Sequence, residues 1–314
     1  MEPLSFGVLC LIGLVLLAIG GELLTLSASR LATAFGVRQI IIGLTVVSFG
    51  TSMPEAFVSA FASFDRQPDI AVANVVGSNI FNLLFILGTA AVIRPLKVEV
   101  SSLKREVPFV IGTAFLVWAL AYDREISRMD GVLFLIIFVL FLWWCFRKNP
   151  PNQNESVTEP VSRSGKGVQI FKIVVSLIVL VVGARLLLSG ATGLARLMGF
   201  SEIVIGLTIV AAGTSFPELA TSVMASVRGK DDIAVGNVTG SNIFNILFIL
   251  GISALVFPLT ISDSLFFRDI PIMVGASLLA LPILKSGYII SRIEGGILII
   301  LYLGYIMILI RDFI

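Results

Sequence analysis

Apolar residues run through this chain in blocks of about twenty, separated by short polar turns, from Leu4 almost to the last residue. A block of that length matches the hydrocarbon thickness that one α-helix crosses, so the pattern predicts an all-α, multi-pass membrane protein. Ten spans fit: roughly 4–28, 38–64, 70–93, 105–122, 129–147, 168–194, 201–227, 233–257, 266–284 and 291–311. The only extended polar stretch, Asn149 to Lys166, contains Pro150, Pro151 and Pro160 and reads as a flexible linker. The expected organisation is a five-helix unit over 1–148, a cytoplasmic linker over 149–167 and a second five-helix unit over 168–314. The first run follows Met-Glu-Pro without the basic flank of a leader, so it is expected to be a transmembrane helix rather than a signal peptide.

Polar residues inside the blocks fall in lines. In span two, Thr51, Glu55 and Ser59 are spaced i, i+4, i+8 and share one helical face. Pro54 has no N–H, and its ring clashes with the carbonyl four residues back, at Gly50. The helix should therefore kink or break near Ser48–Thr51 and free carbonyls there, which at membrane depth is tolerated only when buried in protein or lining a cavity. Span seven repeats the arrangement with Thr214, Pro217, Glu218 and Ser222. Spans three and eight carry Asn74, Ser78, Asn82 and Asn237, Ser241, Asn245, again at i, i+4, i+8.

These lines belong to an internal repeat. With residue n aligned to n+163, Ile41–Gly88 and Val204–Gly251 match without gaps, and 30 of 48 positions are identical. Weaker likeness runs outward, with Leu23-Leu24 against Leu186-Leu187 and Pro95 against Pro258. Five spans per unit is an odd number, so the second unit is expected to enter the membrane upside down. That inverted-repeat plan places a transport site near the midplane, where the units meet.

Composition narrows the chemistry. Only 13% of residues are charged and the mean hydropathy is +1.04, against about 25% charged in an ordinary soluble domain. A net charge of +2 without a basic, aromatic-rich patch excludes nucleic acid as a partner. There is no His, which removes His metal sites, proton relays and triads. Cys10 and Cys145 read as small buried hydrophobes, and Trp118, Trp143 and Trp144 as lipid-facing or interfacial side chains. Basic residues concentrate in alternate loops, with Arg30, Arg38, Arg94, Lys97, Lys104, Arg105, Arg147, Lys148, Arg163 and Lys166 among those on one side. The bias predicts both termini outside and the linker inside.

Four polar lines, two bearing a Glu, suit a hard cation bound by oxygen. Calcium takes six to eight oxygens in flexible geometry, sodium is of similar size, and magnesium keeps its waters. Two ionised Glu neutralise one Ca²⁺, whereas an empty pair repels, and a site unfavourable when empty favours crossing when loaded, which suits exchange.

Gly-Thr-Ser-x-Pro-Glu followed by Gly-Ser-Asn-x-Phe-Asn, twice per chain, resembles the two alpha repeats of the sodium/calcium exchanger family, within the cation/calcium antiporter superfamily. The resemblance is to the prokaryotic type, without the large calcium-sensing region that the 149–167 linker has no room for. It implies an electrogenic antiporter in a prokaryotic cell membrane that exports Ca²⁺ against entering Na⁺ by alternating access, with no cofactor beyond the transported ions. By motif position it implies Glu55, Glu218, Thr51 and Thr214 as Ca²⁺ ligands, the Thr pair through backbone carbonyls. Ser52, Ser78 and the Ser48 carbonyl would form one flanking Na⁺ site, and Ser215, Ser241 and the Ala211 carbonyl the other. Asn82 and Asn245 would line the centre. Potassium-dependent members of the family carry Asp where this chain has Asn245, which lowers the case for K⁺ cotransport.

An H⁺/Ca²⁺ antiporter on the same scaffold is the alternative, although the Gly-Asn-Ala-x-Glu core of that branch is absent. An intramembrane hydrolase would need a base for its Ser, and no Lys lies near either motif. No enzyme is therefore expected. A passive channel would conduct without counter-ion dependence. Glu55 as a structural ion-pair partner is disfavoured because Arg185 is the only basic residue well inside a span and cannot serve two equivalent Glu. Asn74 and Asn237 read equally as caps or packing, and Asp69 and Asp232 as first-turn charges.

Overall fold

The computed structural model describes residues 3–98, 100–147, 165–199, 205, 211–285 and 287–311. In the first unit, α1 (Pro3–Phe35) leads to a bent pair, α2 (Gln39–Thr51) and α3 (Met53–Phe64). Then come α4 (Pro68–Ile93), α5 (Val100–Leu120) and α6 (Arg128–Arg147). The second unit opens with α7 (Lys166–Leu197), continues through the short turn Ala211–Gly213 to α8 (Phe216–Val227), and then α9 (Asp231–Val256), α10 (Leu265–Ile283) and α11 (Arg292–Arg311). Among the described residues, eight helices are long and apolar enough to cross a bilayer, and α2–α3 counted as one crossing makes nine. Of the expected span 201–227, residues 201–204 and 206–210 lie outside the described residues, as do most of the linker and with it Lys148 and Arg163.

Local chemistry explains the helix ends. Pro95 biases Arg94 out of the helix, to φ −146° and ψ 129°, and α4 stops at Ile93. Pro258 does the same to Phe257, at −147° and 134°, after α9.

Helices α4 and α9 form the centre: 72% and 83% of their apolar windows are buried, against 22% for α1, α6 and α11. The outer helices pack across the units rather than within them: α1 on α7, α11 on α4, α6 on α9 and α10 on α5. Gly13 permits close approach of the α1 and α7 backbones, since a Cβ there would lie 2.6 Å from the Leu187 backbone nitrogen. Two short antiparallel strand pairs also cross between units. β1 (Leu96–Lys97) pairs with β4 (Ile289–Ile290), and β2 (Glu125–Ile126) with β3 (Leu259–Thr260).

Cys145 is buried and Cys10 half-buried, and neither forms a disulfide. Trp143 is exposed on α6, while Trp118 and Trp144 are half-buried against the core rather than wholly turned to lipid.

Candidate functional site

Ser52 is the point at which the second span breaks. Its φ and ψ are −84° and 8°, and α2 and α3 meet there at 49°. Pro54 accounts for the break, because it cannot donate to Gly50 and its ring displaces that carbonyl. Glu55 thus falls in the first turn of α3, where the positive end of the helix offsets its charge. The second unit repeats the device: Ser215 lies at −90° and 9°, Pro217 follows, and Glu218 sits in the first turn of α8.

Both carboxylates are fully buried. Each is held by a serine of the other unit. Ser215 Oγ donates to Glu55 Oε1 at 2.8 Å, and Ser52 Oγ donates to Glu218 Oε1 at 2.7 Å. The two Glu interact electrostatically. Neither forms an ion pair among the described residues, and Arg185 lies exposed on α7. The structural ion-pair reading of Glu55 and Glu218 therefore fails.

The remaining oxygens are left over in matching pairs. Glu55 Oε2, Glu218 Oε2, Asn82 Oδ1 and Asn245 Oδ1 are all buried and accept no hydrogen bond. Ser241 Oγ is buried and unpartnered as well. The segment that carries Asn245 packs on α3, and the segment that carries Asn82 packs on α8. Buried acceptors without donors are costly unless a cation or water satisfies them. No group of three or more His, Cys, Asp or Glu gathers among the described residues. The donor set is thus two carboxylates with neutral oxygens, which fits a hard cation and not a soft one.

The hydroxyls also meet across the units. Ser78 Oγ lies 3.2 Å from Ser215 Oγ, which itself binds Glu55. The Ser48 carbonyl is not freed by the break: it accepts the Ser52 N–H at 3.0 Å and the Thr51 hydroxyl at 3.3 Å. Ala211 opens the short turn before Thr214. Thr51 and Thr214 stand at the two breaks, and the Thr51 hydroxyl reaches Asn237 Oδ1 at 3.2 Å.

Asn74 and Asn237 are not caps, since their helices begin at Pro68 and Asp231, more than a turn earlier. Asn74 Nδ2 donates to Ser59 Oγ at 2.9 Å and to the Glu55 carbonyl at 3.3 Å. Asn237 Nδ2 does the same to Ser222 Oγ at 2.9 Å and the Glu218 carbonyl at 3.2 Å. They tie each Glu helix to the next span. Asp69 and Asp232 lie in first turns, as expected.

Two residues of the repeated motif carried no role in the sequence reading. Asn79 and Asn242 stand three residues before Asn82 and Asn245, hence on the same helical face, and a count at i, i+3 as well as i, i+4 would have found them. Asn82 Nδ2 donates to Asn242 Oδ1 at 3.1 Å, and Asn245 Nδ2 to Asn79 Oδ1 at 3.0 Å.

Helix α9 lies so close to α2 that a Cβ on Gly240 would sit 2.6 Å from the Leu44 carbonyl and 2.7 Å from Ser48 Oγ. For the equivalent Gly77 the residue matching Leu44 falls in 206–210, outside the described residues. A cavity of about 250 Å³ reaches Gly77, lined also by Asp69, Arg268, Asp269 and Tyr305.

Comparison with known proteins agrees with this architecture. The sequence profile of the family described as sodium/calcium exchanger protein matches residues 5–147 and 168–311. The putative antiporter CaxA of Alkalimonas amylolytica is 39% identical over 306 residues, covering 94% of this chain and 95% of its own. The sodium/calcium exchanger MaX1 of Methanosarcina acetivorans is 34% identical, with 95% of this chain and 97% of its own covered. Among solved structures, the sodium-calcium exchanger NCX_Mj soaked with Na⁺ and Ca²⁺ superposes with a TM-score of 0.83 at 31% identity, over 99% of both chains.

Proposed function

The chain belongs to the sodium/calcium exchanger family, and from that premise we propose that it is a secondary antiporter exchanging Ca²⁺ for Na⁺ by alternating access. One observation carries the reading. Two buried carboxylates, one from each half, each keep an oxygen free of hydrogen bonds, and two buried carboxamide oxygens are free in the same way. Such oxygens form the cage a dehydrated cation needs. With both Glu ionised and both Asn neutral, the charge of the cage matches one Ca²⁺ or two monovalent ions. One divalent and several Na⁺ then compete for the same carboxylates, which is the physical basis of exchange.

The reciprocal contacts support an inverted pair of five-helix units. Ser52 with Glu218 is answered by Ser215 with Glu55, and Asn82 with Asn242 by Asn245 with Asn79. Such exchange of partners is what a two-fold relation produces. With an odd number of spans per unit, that axis lies in the membrane plane. Loop charge sets both termini outside. In that orientation the tight Gly240 packing lies on the inner side, and the cavity beside Gly77 lies on the outer side. Ca²⁺ binds Glu55 and Glu218 with the Thr51 and Thr214 carbonyls. Na⁺ flanks them at Ser78 and Ser215 with Glu55, and at Ser52 and Ser241 with Glu218, while Asn82 and Asn245 line the centre.

Radiolabelled Ca²⁺ flux in proteoliposomes tests this. Flux should follow an imposed Na⁺ gradient at clamped pH. Flux driven only by a pH gradient would replace Na⁺ by H⁺ as the counter-ion, and flux without any counter-ion would mark a channel.

A further inference from the structure

Four carboxamides meet where α4 and α9 cross, and all four are at most 1% exposed. Their bonds run between the halves: Asn82 Nδ2 to Asn242 Oδ1, Asn245 Nδ2 to Asn79 Oδ1, and Asn79 Nδ2 to the Asn242 carbonyl at 3.4 Å. A carboxamide has one end that donates and one that accepts. Turned one way it offers a cation an oxygen, and turned the other way it offers N–H groups of the wrong sign. The shape of Asn82 and Asn245 does not decide between these, because the two ends are nearly the same size.

We infer that Asn79 and Asn242 are positioning residues that decide it: by accepting from Nδ2 of Asn245 and Asn82, they turn both Oδ1 atoms toward the cation. The inference rests on the cation-site reading above. The π-wound turns at Phe81–Ile86 and Asn245–Ile249 widen both helices at this crossing. Extra width at a functional position is a recurring use of such turns. The bonds satisfy the donor end and leave Asn82 Oδ1 and Asn245 Oδ1 without partners, as a ligand oxygen must be before the ion arrives. Asn79 and Asn242 touch no ion in this scheme. They act through their neighbours.

Asn242 offers the cleaner test, because its own Nδ2 makes no hydrogen bond. Asn242→Leu keeps the volume and removes the acceptor, so Asn82 loses its anchor and its N–H end is free to face the ion. Asn242→Asp keeps an acceptor at the same place and sacrifices no bond. Ca²⁺ flux into proteoliposomes, measured over a range of Ca²⁺ at fixed Na⁺ gradient, separates half-saturation from maximal rate. Asn242→Leu should raise the half-saturating Ca²⁺ by about tenfold, the scale of one lost buried hydrogen bond, with the maximal rate within about twofold. Asn242→Asp should recover most of that loss. Ca²⁺-dependent thermal stabilisation of the purified variants reports the same shift for protein that folds but transports poorly. Equal half-saturation in wild type and Asn242→Leu, or equal loss in the Leu and Asp variants, overturns the inference and leaves the antiporter reading standing. A wild-type protein that moves no Ca²⁺ overturns both.

Discussion

Glu55→Gln probes the site most directly, because the substitution changes charge while barely changing shape. The carbonyl of Gln still accepts from Ser215 Oγ, which now lies 2.8 Å from Glu55 Oε1. What is lost is one negative charge and the free acceptor at Oε2, which becomes a donor. Unit charges 4 Å apart at an effective dielectric near 20 attract by about 4 kcal/mol, and a divalent ion doubles this to about 8 kcal/mol before desolvation is counted. Desolvation of ion and carboxylate offsets much of that sum. Removing one partner of a buried, hydrogen-bonded charge pair costs about 2–5 kcal/mol in measured cases. At 1.4 kcal/mol per decade, Ca²⁺ affinity should fall by roughly 30-fold to several thousand-fold. Thermal unfolding with and without Ca²⁺ reads this out. At a Ca²⁺ concentration of about 100 times the wild-type Kd, the wild type gains about 2.7 kcal/mol, and the variant should gain less than about 1 kcal/mol. Without Ca²⁺ the variant should be no less stable, since one of two like buried charges has gone. An unfolding midpoint that Ca²⁺ still raises as in the wild type, or flux at the wild-type rate, would refute the two-carboxylate site. Glu218→Gln should behave in the same way.

Ser215→Ala and Ser52→Ala each remove a hydrogen bond to a carboxylate, worth about 1.5–3 kcal/mol, so half-saturating cation in flux assays should rise roughly ten- to a hundredfold. The loss should be larger for Ser215, which also meets Ser78. Gly240→Ala would place a methyl 2.6 Å from the Leu44 carbonyl; overpacking of that kind costs about 1–3 kcal/mol, visible as a lower unfolding midpoint. Asn245→Asp makes the centre one charge more negative and should change the ion dependence of flux more than the amount of folded protein. Unchanged selectivity and kinetics would place Asn245 away from the ion.

The break in span two was legible because a single covalent fact, the missing N–H of Pro54, causes it. The equivalence of the halves was legible for the same kind of reason: a fixed offset is visible in letters alone. Partner choice was not. An offset of 163 says that Ser78 and Ser241 occupy like positions, yet only packing decides that Ser78 meets Ser215. Asn74 lay close to the expected start of its span, but the helix begins at Pro68, and the half-buried side chain already reaches Ser59 and the Glu55 carbonyl of the neighbouring helix. Helix ends were also underestimated. The apolar signal of the first span fades near residue 28, whereas α1 continues to Phe35 because α7 packs along it. The π-wound turns at Gly43–Val47, Phe81–Ile86 and Asn245–Ile249 have no signature in composition or spacing, since they arise where helices crowd one another.

The partner exchange at the centre also bears on ancestry. Each Glu depends on a serine from the other half, and each inner Asn on an asparagine from the other half. A polypeptide half as long would bury the same groups with nothing to meet them. If the halves are inverted as proposed, the ancestral gene product before duplication would have completed these contacts only as a homodimer, its two copies inserted in opposite senses. A modern chain severed within its linker should, by the same logic, still assemble from its two fragments.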